Sequence, residues 1–289
     1  MRNHIRDIAR LFEEFQKKRI GKESLLDMLD EAEMPERVYN SNAIENSTLS
    51  LPETEKILLQ MEAGKKFTLR EIFEAKNLAL VYGYIKKKIN ELSLSKDSIL
   101  LLHKMLLTNI RDEVAGRFRK KEELVRVGTH IAIPGEFIEE RMNEIIVRFN
   151  SEMETPYIHK IARFHAEFEN IHPFLDGNGR IGRVINNLLL LKFSFPTMII
   201  RNKEKDTYYQ ALRSYDASHT IKPISRIFEI ALLESLHKRI TYLDGIYIAL
   251  LSEYAKKQSR SFHSLLNSAR RQTIPAFREK GVWKIGVPK

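Results

Sequence analysis

Residues 172–183 combine side chains that together could handle a nucleoside triphosphate. The stretch reads His172-Pro-Phe-Leu-Asp-Gly-Asn-Gly-Arg-Ile-Gly-Arg183. His172 can accept a proton near neutral pH, and the Asp176 carboxylate is an oxygen ligand that suits Mg²⁺. Glycines leave backbone N–H groups accessible at the start of a predicted helix, where anions bind. Arg180 and Arg183 lie three residues apart, so they share a helix face and could grip phosphate oxygens.

The glycine spacing also fits two common nucleotide-binding loops. Gly177-x-Gly179-x-x-Gly182 matches a dinucleotide fingerprint, and the first and last of these glycines have Walker-loop spacing, although Arg183 replaces the lysine. Both loops follow a strand within a βαβ unit, whereas apolar spacing predicts a helix over 158–170. We therefore reject both folds. A glycine turn between helices, with surface arginines and a hydrogen-bonded histidine, remains the structural alternative.

The same run resembles the signature of Fic proteins. The matching pattern is His172-x-Phe174-x-Asp176-Gly177-Asn178-Gly179-Arg180-x-x-Arg183. Further segments that resemble the family follow the expected order, at 116–119, 127–130 and 206–212. The resemblance covers about residues 98–237 and implies a mainly α-helical Fic-type core with a short β-hairpin flap.

The resemblance implies transfer of AMP from ATP to a side-chain hydroxyl of a protein, with release of pyrophosphate. His172 would deprotonate the Ser, Thr or Tyr hydroxyl of the target, and Asp176 would hold Mg²⁺ on the phosphates. The other residues implied to contact phosphate are Gly177, Asn178, Gly179, Arg180 and Arg183. Relatives that transfer phosphate from reversed ATP carry lysine at the position of Gly179, so this glycine favours AMP transfer.

The resemblance also places residues around the nucleoside and the target. The flap that would bound the nucleotide and align the target backbone by strand addition consists of Val127, Gly128, Thr129 and His130. Tyr208 resembles the tyrosine that lines the nucleoside site. Asp216 lies where relatives often carry an asparagine near adenine, so the base contact departs from the family pattern.

Ser41-Asn-Ala-Ile-Glu45-Asn46 resembles the inhibitory motif of the same family. A helix carrying Glu45 could pair its carboxylate with Arg183 in a bidentate contact, which would withhold the arginine from the γ-phosphate. The alternative is an ordinary helix turn with Ser41 as N-cap and Glu45 in solvent. In some relatives the same glutamate supports removal of AMP from a target, so the reverse reaction stays open.

The composition limits the cellular context. The chain has 289 residues and no cysteine, which excludes disulfides and thiolate metal sites and fits a reducing compartment. The first residues lack the apolar core of a signal peptide. The longest apolar stretch, around 184–193, is interrupted by polar residues and is too short to span a bilayer. We therefore expect a cytoplasmic protein without membrane contact.

The net charge of +10 is concentrated near the C-terminus. After residue 254, only Glu279 opposes the basic residues Lys256, Lys257, Arg260, Arg270, Arg271, Arg278, Lys280, Lys284 and Lys289. Such asymmetry indicates an appended module with an anionic partner. A solvated basic tail is the alternative.

Apolar spacing predicts helices through most of the chain, including 158–170, 184–193 and 224–236. A β-hairpin is predicted at about 124–133, closed by Pro134-Gly135. We expect His103, His165, His219 and His237 to serve core packing or to lie on the surface.

These patterns predict three regions. Residues 1–97 form a helical N-terminal region with the inhibitory helix near 41–46, residues 98–237 form the Fic core, and residues 246–289 form the basic module. In that module a helix over 261–270 is followed by a second helix, with Thr273 as N-cap, Pro275 in its first turn and Gly281 as its stop. A strand over 282–285 completes a fold that resembles a winged helix-turn-helix. DNA binding through its basic face and protein docking or dimerisation both stay open.

The expected function is that of a self-inhibited, ATP-dependent protein adenylyltransferase that acts on a target protein, with self-modification and a homodimer left open. The alternative, from another class, is a DNA-binding regulator that uses the Fic core as a nucleotide-sensing switch. A nucleotide donor other than ATP also stays open.

Overall fold

The computed structural model describes residues 4–59, 67–128 and 130–287, so the predicted flap residue Thr129 lies outside the described residues. These residues form a mainly α-helical fold, as predicted. None of the described helices is long and apolar enough to cross a membrane. The helices are α1 (His4–Lys18), α2 (Glu23–Ile44), α3 (Leu51–Leu59), α4 (Leu69–Lys87), α5 (Lys96–Leu107), α6 (Ile138–Ser151), α7 (Tyr157–Ile171), α8 (Asn178–Lys192), α9 (Lys205–Ser218), α10 (Lys222–Asp244), α11 (Leu251–Lys257) and α12 (Phe262–Arg270).

The chain divides into two compact units. One unit, residues 35–194 with 200–226, contains the glycine motif, the hairpin and the segment 41–46. The other unit contains the remaining N-terminal residues, residues 195–199, and the chain from 227 onward. Each unit thus combines segments that are distant in sequence. The three regions predicted from the sequence stay predictions.

Helices α7 and α8 flank the motif and pack on each other. In α7, Ile158, Ile161 and Phe168 are buried at helical spacing. Nearly every residue of α8 from Asn178 to Leu190 is buried, which is typical of a central helix. Helices α4 and α5 pack against α8 as well. The predicted helices at 158–170 and 184–193 are confirmed, and α8 begins earlier than its apolar run.

The hairpin in this unit consists of β1 (Arg126–Val127) and β2 (His130–Ile131). The strands pair antiparallel, with Arg126 opposite Ile131. The hairpin itself is confirmed, but its predicted closure by Pro134-Gly135 is wrong, because the turn lies between the two strands and includes Gly128 at φ 61°. Pro134 instead precedes a short 3₁₀ turn that leads into α6, and the fixed φ of proline suits the start of such a turn.

The C-terminal strands form a three-stranded antiparallel sheet with β5 in the centre. They are β3 (Tyr247–Leu250), β4 (Ala276–Glu279) and β5 (Val282–Val287). Helices α11 and α12 lie between β3 and β4 in sequence, and both contribute to a small apolar core with β5. The predicted helix over 261–270 is confirmed as α12.

The second predicted helix of this segment is wrong, because β4 occupies its place. Lys280 and Gly281 both have positive φ, at 50° and 79°, and they connect paired residues Glu279 and Val282. Two residues with positive φ make the tight turn of a β-hairpin. Gly281 therefore ends a strand rather than a helix. The resemblance to a winged helix-turn-helix stays a prediction.

Candidate active site

The loop between α7 and α8 positions the motif. His172 ends α7 in the left-handed region at φ 52°, and its N–H donates to the Phe168 carbonyl at 3.0 Å. Gly177 is also left-handed, at φ 80°, directly before α8, a conformation that glycine adopts without strain. Phe174 lies between them and is fully buried. The loop is thus anchored in the core while both of its ends turn sharply.

His103 supports this loop from α5. Its ring stacks on Phe174 with centroids 3.6 Å apart. Its Nδ1 accepts from the Gly116 N–H at 3.0 Å, so its Nε2 carries the proton and donates to the Asp176 carbonyl at 3.0 Å. Burial lowers the pKa of His103 to about 4, which keeps the ring neutral. His103 was expected to serve core packing or to lie on the surface; it is buried and holds the backbone of the motif loop.

Arg119 and Asn178 hold the loop backbone. Arg119 donates from Nε to the His172 carbonyl at 2.8 Å. The Asn178 side chain accepts from the Phe174 N–H at 2.9 Å and donates to the Phe174 carbonyl at 2.8 Å. Both polar atoms of this side chain are used inside the loop, so the predicted contact of Asn178 with phosphate would fall to its backbone N–H. The first N–H groups of α8 have no intrahelical acceptor.

His172 is neutral in this environment. Burial lowers the pKa of its imidazole to about 4, against the opposing effect of a hydrogen bond to the Glu169 backbone. A neutral imidazole is the form that can accept a proton.

Asp176 and Arg180 belong to a network with helix α4. Asp176 accepts from Arg180 Nη2 at Oδ1 (2.9 Å) and from Arg70 Nη2 at Oδ2 (3.0 Å). Glu74, also on α4, lies 3.2 Å from Arg180 Nη1 and accepts from Arg70 Nε at 3.0 Å. Two charged residues missed by the sequence analysis, Arg70 and Glu74, therefore contact the predicted metal and phosphate residues.

Arg183 is buried and contacts the inhibitory segment, residues 41–46. Its Nη2 lies 2.8 Å from Glu45 Oε1 and donates to the Ser41 carbonyl at 2.8 Å, and its Nε donates to Ser41 Oγ at 2.9 Å. Burial alone would lower the pKa of Arg183, but the Glu45 charge raises it above its usual value. The guanidinium is thus held charged by the carboxylate beside it.

Two details of this contact differ from expectation. The bidentate arrangement is replaced by one carboxylate oxygen plus two acceptors from Ser41. Ser41 lies inside α2 and is buried, so the N-cap interpretation is wrong, and Glu45 directly follows the last residue of α2. Asn46, at φ 68°, accepts from Lys205 Nζ at 2.6 Å, so it fixes the end of the inhibitory segment.

Gly179 lies directly against the Glu45–Arg183 pair. A Cβ atom at this position would be 2.2 Å from Glu45 Oε1 and 3.0 Å from Arg183 Nη1. The close approach of the backbone to the ion pair therefore requires a residue without a side chain. This requirement is separate from the preference for AMP transfer that the family resemblance attaches to Gly179.

A polar network lies behind Arg183. Tyr208, predicted to line the nucleoside site, is buried, and its hydroxyl is 2.6 Å from His165 Nε2. Burial lowers the pKa of His165 to about 3. Burial, together with the Glu45 charge, raises the pKa of Glu169 to about 8, and within the described residues Glu169 Oε1 has no hydrogen-bond partner. Tyr208 also shares a hydrogen bond with Arg183, so it helps to position that arginine.

Asp216 connects the flap to α7. Its Oδ1 accepts from Asn170 Nδ2 at 2.7 Å, and its Oδ2 lies 3.5 Å from His130 Nδ1. The other ring nitrogen of His130 is 2.8 Å from the Asn170 carbonyl. The carboxylate that the sequence placed near adenine therefore positions the β2 end of the flap.

The predicted residues fall into three neighbouring groups: the loop with His172 and Asp176, the inhibitory pair, and the flap with Asp216. Sequence reasoning missed Arg70, Glu74 and Glu169. The first two form an ordinary i,i+4 pair on a helix, a pattern shared by many surface helices.

Comparison with known proteins finds similarity to one family. A protein-family model, described as Fic/DOC family, matches residues 93–190. Protein adenylyltransferase Fic of Nematostella vectensis is 31% identical over 197 residues, 66% of this chain and 45% of that protein. Protein adenylyltransferase fic-1 of Caenorhabditis elegans is 28% identical over 248 residues, 82% of this chain and 44% of that protein.

The fold agrees with this match. A Fic domain containing signaling protein from Bacteroides thetaiotaomicron has a TM-score of 0.74 at 23% identity, covering 82% of this chain and 97% of that one. The chain spans less than half the length of the two curated relatives named above. Residues 93–190 thus match the Fic/DOC family, and the chain as a whole is similar to Fic proteins.

Proposed function

We propose that this protein is a self-inhibited protein adenylyltransferase, which transfers AMP from ATP to a hydroxyl of a target protein and releases pyrophosphate. The observation that carries the proposal is one loop that joins a neutral, partly exposed His172 to the N-terminus of α8 and to two arginines. The names of the curated relatives support the same reaction.

The proposed reaction exchanges one bond at the α-phosphorus. The target oxygen forms a bond to the α-phosphorus while the bond to the bridging oxygen of the β-phosphate breaks, and the hydroxyl proton passes to the imidazole of His172. The first N–H groups of α8, at Asn178 and Gly179, would stabilise the charge on the phosphoryl oxygens. Arg180 and Arg183 would hold the outer phosphates as pyrophosphate leaves.

The residues present fit a Mg²⁺ ion that the substrate helps to hold. Asp176 offers one partly exposed carboxylate beside the phosphate arginines, and Mg²⁺ is usually held by one or two carboxylates plus substrate phosphates. No cluster of three potential protein ligands occurs among the described residues. When bound, the ion would neutralise phosphate charge.

Inhibition follows from the contacts of Arg183. Glu45 and Ser41 use the Nη2 and Nε groups that would otherwise reach the γ-phosphate. ATP would therefore bind without this anchor and in a pose unsuited to attack on the α-phosphorus. The finer proposals are strand addition of the target at Val127–His130, AMP removal through Glu45, a cytoplasmic location, self-modification and a homodimer.

The proposal is tested with α-labelled ATP. Wild type, Glu45→Gly and His172→Ala are incubated with the nucleotide, and label in protein is measured. We expect strong labelling of Glu45→Gly and none of His172→Ala, and loss of the label in Glu45→Gly/His172→Ala. Competition with UTP, GTP or CTP identifies the preferred donor.

Failure of the test points to the other class of function. Absence of label in every variant, with retained ATP binding, would refute the transferase and favour a nucleotide-sensing switch. The DNA-binding part of that alternative draws on the positive charge of residues 246–289, and a salt-dependent shift of a random DNA duplex by the full chain would test it.

A further inference from the structure

Arg70, at the start of α4, contacts the carboxylate that the proposed function assigns to Mg²⁺. Arg70 Nη2 lies 3.0 Å from Asp176 Oδ2, and Arg180 Nη2 lies 2.9 Å from Asp176 Oδ1. Both oxygens of Asp176 therefore already have a cationic partner. Glu74 holds the other side of both arginines, through Arg70 Nε at 3.0 Å and Arg180 Nη1 at 3.2 Å.

The N-terminus of α4 is capped, so the backbone that carries Arg70 has a defined position. Thr68 caps the helix, and Glu71 closes a capping box with it. Glu71 also accepts a hydrogen bond from Thr48, which lies shortly after the inhibitory segment. Hydrogen bonds from Thr48 and Thr68 lower the pKa of Glu71. The same helix turn thus contacts both the inhibitory side and the metal side of the site.

We propose that Arg70 acts as an internal cation that occupies the Asp176 carboxylate before nucleotide binds and must leave it when Mg²⁺ arrives. This inference rests on the proposed function only in assigning the metal to Asp176. Two cations at one carboxylate oxygen repel each other, so a metal ion at Asp176 Oδ2 and the Arg70–Asp176 contact compete.

The Arg70 side chain has room to move away from Asp176. Its side chain is 55% exposed, whereas that of Arg180 is 4% exposed. When Arg70 moves away from Asp176, its Nε can keep Glu74 as a partner, which limits the loss. Arg180 has no such freedom, so it stays beside Asp176 and can serve the phosphates. The buried and the exposed arginine thus have different roles at one carboxylate.

The proposal is distinct from two other roles for Arg70. A phosphate-binding Arg70 would strengthen ATP binding even without metal, because its charge would face the phosphates directly. A purely structural Arg70 would affect unfolding but not metal affinity. An internal cation weakens metal affinity in the intact protein and has little effect on metal-free nucleotide binding.

The test measures Mn²⁺ binding in a background that cannot turn over. His172→Ala protein saturated with ATP is titrated with Mn²⁺, and water proton relaxation reports the metal that tumbles with the protein. We expect Arg70→Gln to lower the apparent Mn²⁺ dissociation constant about two- to fivefold, the range typical of an ion pair with one exposed partner. Lys76→Gln, the same charge change on an exposed position of α4, should have no effect.

Three results would overturn the inference. They are unchanged or weaker Mn²⁺ binding by Arg70→Gln, an equal gain by Lys76→Gln, and weaker ATP binding by Arg70→Gln in EDTA. Thermal unfolding of each variant confirms that it is folded, and Arg70→Lys provides a second variant that keeps the charge. If the protein without the Arg70 change binds no Mn²⁺ with ATP, the proposed function fails with the inference. If it binds Mn²⁺ and Arg70→Gln matches Lys76→Gln, only the inference fails.

Discussion

Substitution of Gly179 by alanine should release the proposed inhibition without altering the identity of Glu45 or Arg183. A Cβ atom at this position would lie 2.2 Å from Glu45 Oε1, well inside van der Waals contact. Glu45 Oε1 is the end of a flexible side chain that is 34% exposed, whereas Arg183 is buried. The carboxylate should therefore move, and the 2.8 Å contact with Arg183 Nη2 should break.

The size of the effect follows from that contact. To reach an ordinary contact the oxygen must retreat from 2.2 Å to at least 3.4 Å from the new atom. A hydrogen bond to a charged group contributes about 1.5–3 kcal/mol, and the exposure of Glu45 favours the lower part of that range. About 1.5–2 kcal/mol corresponds to roughly a 10- to 30-fold increase in the population with Arg183 available.

The assay is the initial rate of self-labelling with α-labelled ATP. Gly179→Ala should approach the rate of Glu45→Gly, and in the Glu45→Gly background it should add nothing, because the group it displaces is absent. Gly83→Ala on α4 is the matched control. It makes the same Gly-to-Ala change on a helix, and apart from its own helix backbone and chain neighbours no described atom lies within 4 Å of the Cβ it would add.

Two outcomes would refute this reasoning. A folded Gly179→Ala protein that labels no faster than wild type would show that the inhibitory pair tolerates the methyl group. A fall in labelling when Gly179→Ala is added to Glu45→Gly would show that the methyl group harms the phosphate site itself. The double variant separates these two effects.

Two further predictions concern the surroundings of Arg183. Glu169→Gln should melt at a higher temperature than wild type, and the difference between the two melting temperatures should grow as the pH rises from 5 to 8.5. The pKa of this buried carboxyl rises from 4.5 to about 8 on folding, so its contribution to stability falls as pH rises through that window, by a few kcal/mol at about 1.4 kcal/mol per pH unit. Scanning calorimetry of both proteins measures this difference. Identical dependence of the two melting temperatures on pH would contradict the prediction. Ser41→Ala removes the acceptor of Arg183 Nε and leaves Glu45, so we expect about a threefold rise in self-labelling. A rise equal to that of Glu45→Gly would assign the inhibition to Ser41 instead.

The motif could be predicted from sequence because its chemistry is local. His172, Asp176 and Arg180 lie within nine residues on one loop and the first helix turn, so their types and spacing carry the signal. The pair between Glu45 and Arg183 was predicted through a family resemblance, since nothing in either local sequence requires the other. The structure shows two features that the family resemblance did not predict. Ser41 supplies two acceptors to Arg183, and the Glu45–Arg183 pair lies directly against Gly179.

The contacts of α4 could not be predicted, for a physical reason. Arg70 and Asp176 are 106 positions apart in sequence, and an Arg–Glu pair at i,i+4 is compatible with any exposed helix. Only the packing of α4 against α8 brings this pair to the loop. In the same way, the turn at Lys280–Gly281 depends on the pairing of β4 with β5, and a glycine after an apolar run indicates a helix end as readily as a hairpin.

The charged groups of the site are balanced in pairs before any nucleotide binds. Arg183 faces Glu45, Arg180 faces Glu74, and Asp176 faces Arg70 and Arg180. A polyphosphate must therefore replace existing partners rather than fill bare positive charge, which lowers the gain from each new contact. Removal of Glu45 frees only one of these arginines. Because Glu74 and Arg70 still hold the other side of the site, release of the inhibitory pair should increase activity while leaving a requirement for metal to displace Arg70. Under the proposed function, Glu45 would act on the γ-phosphate through Arg183, and Arg70 would act on the metal through Asp176.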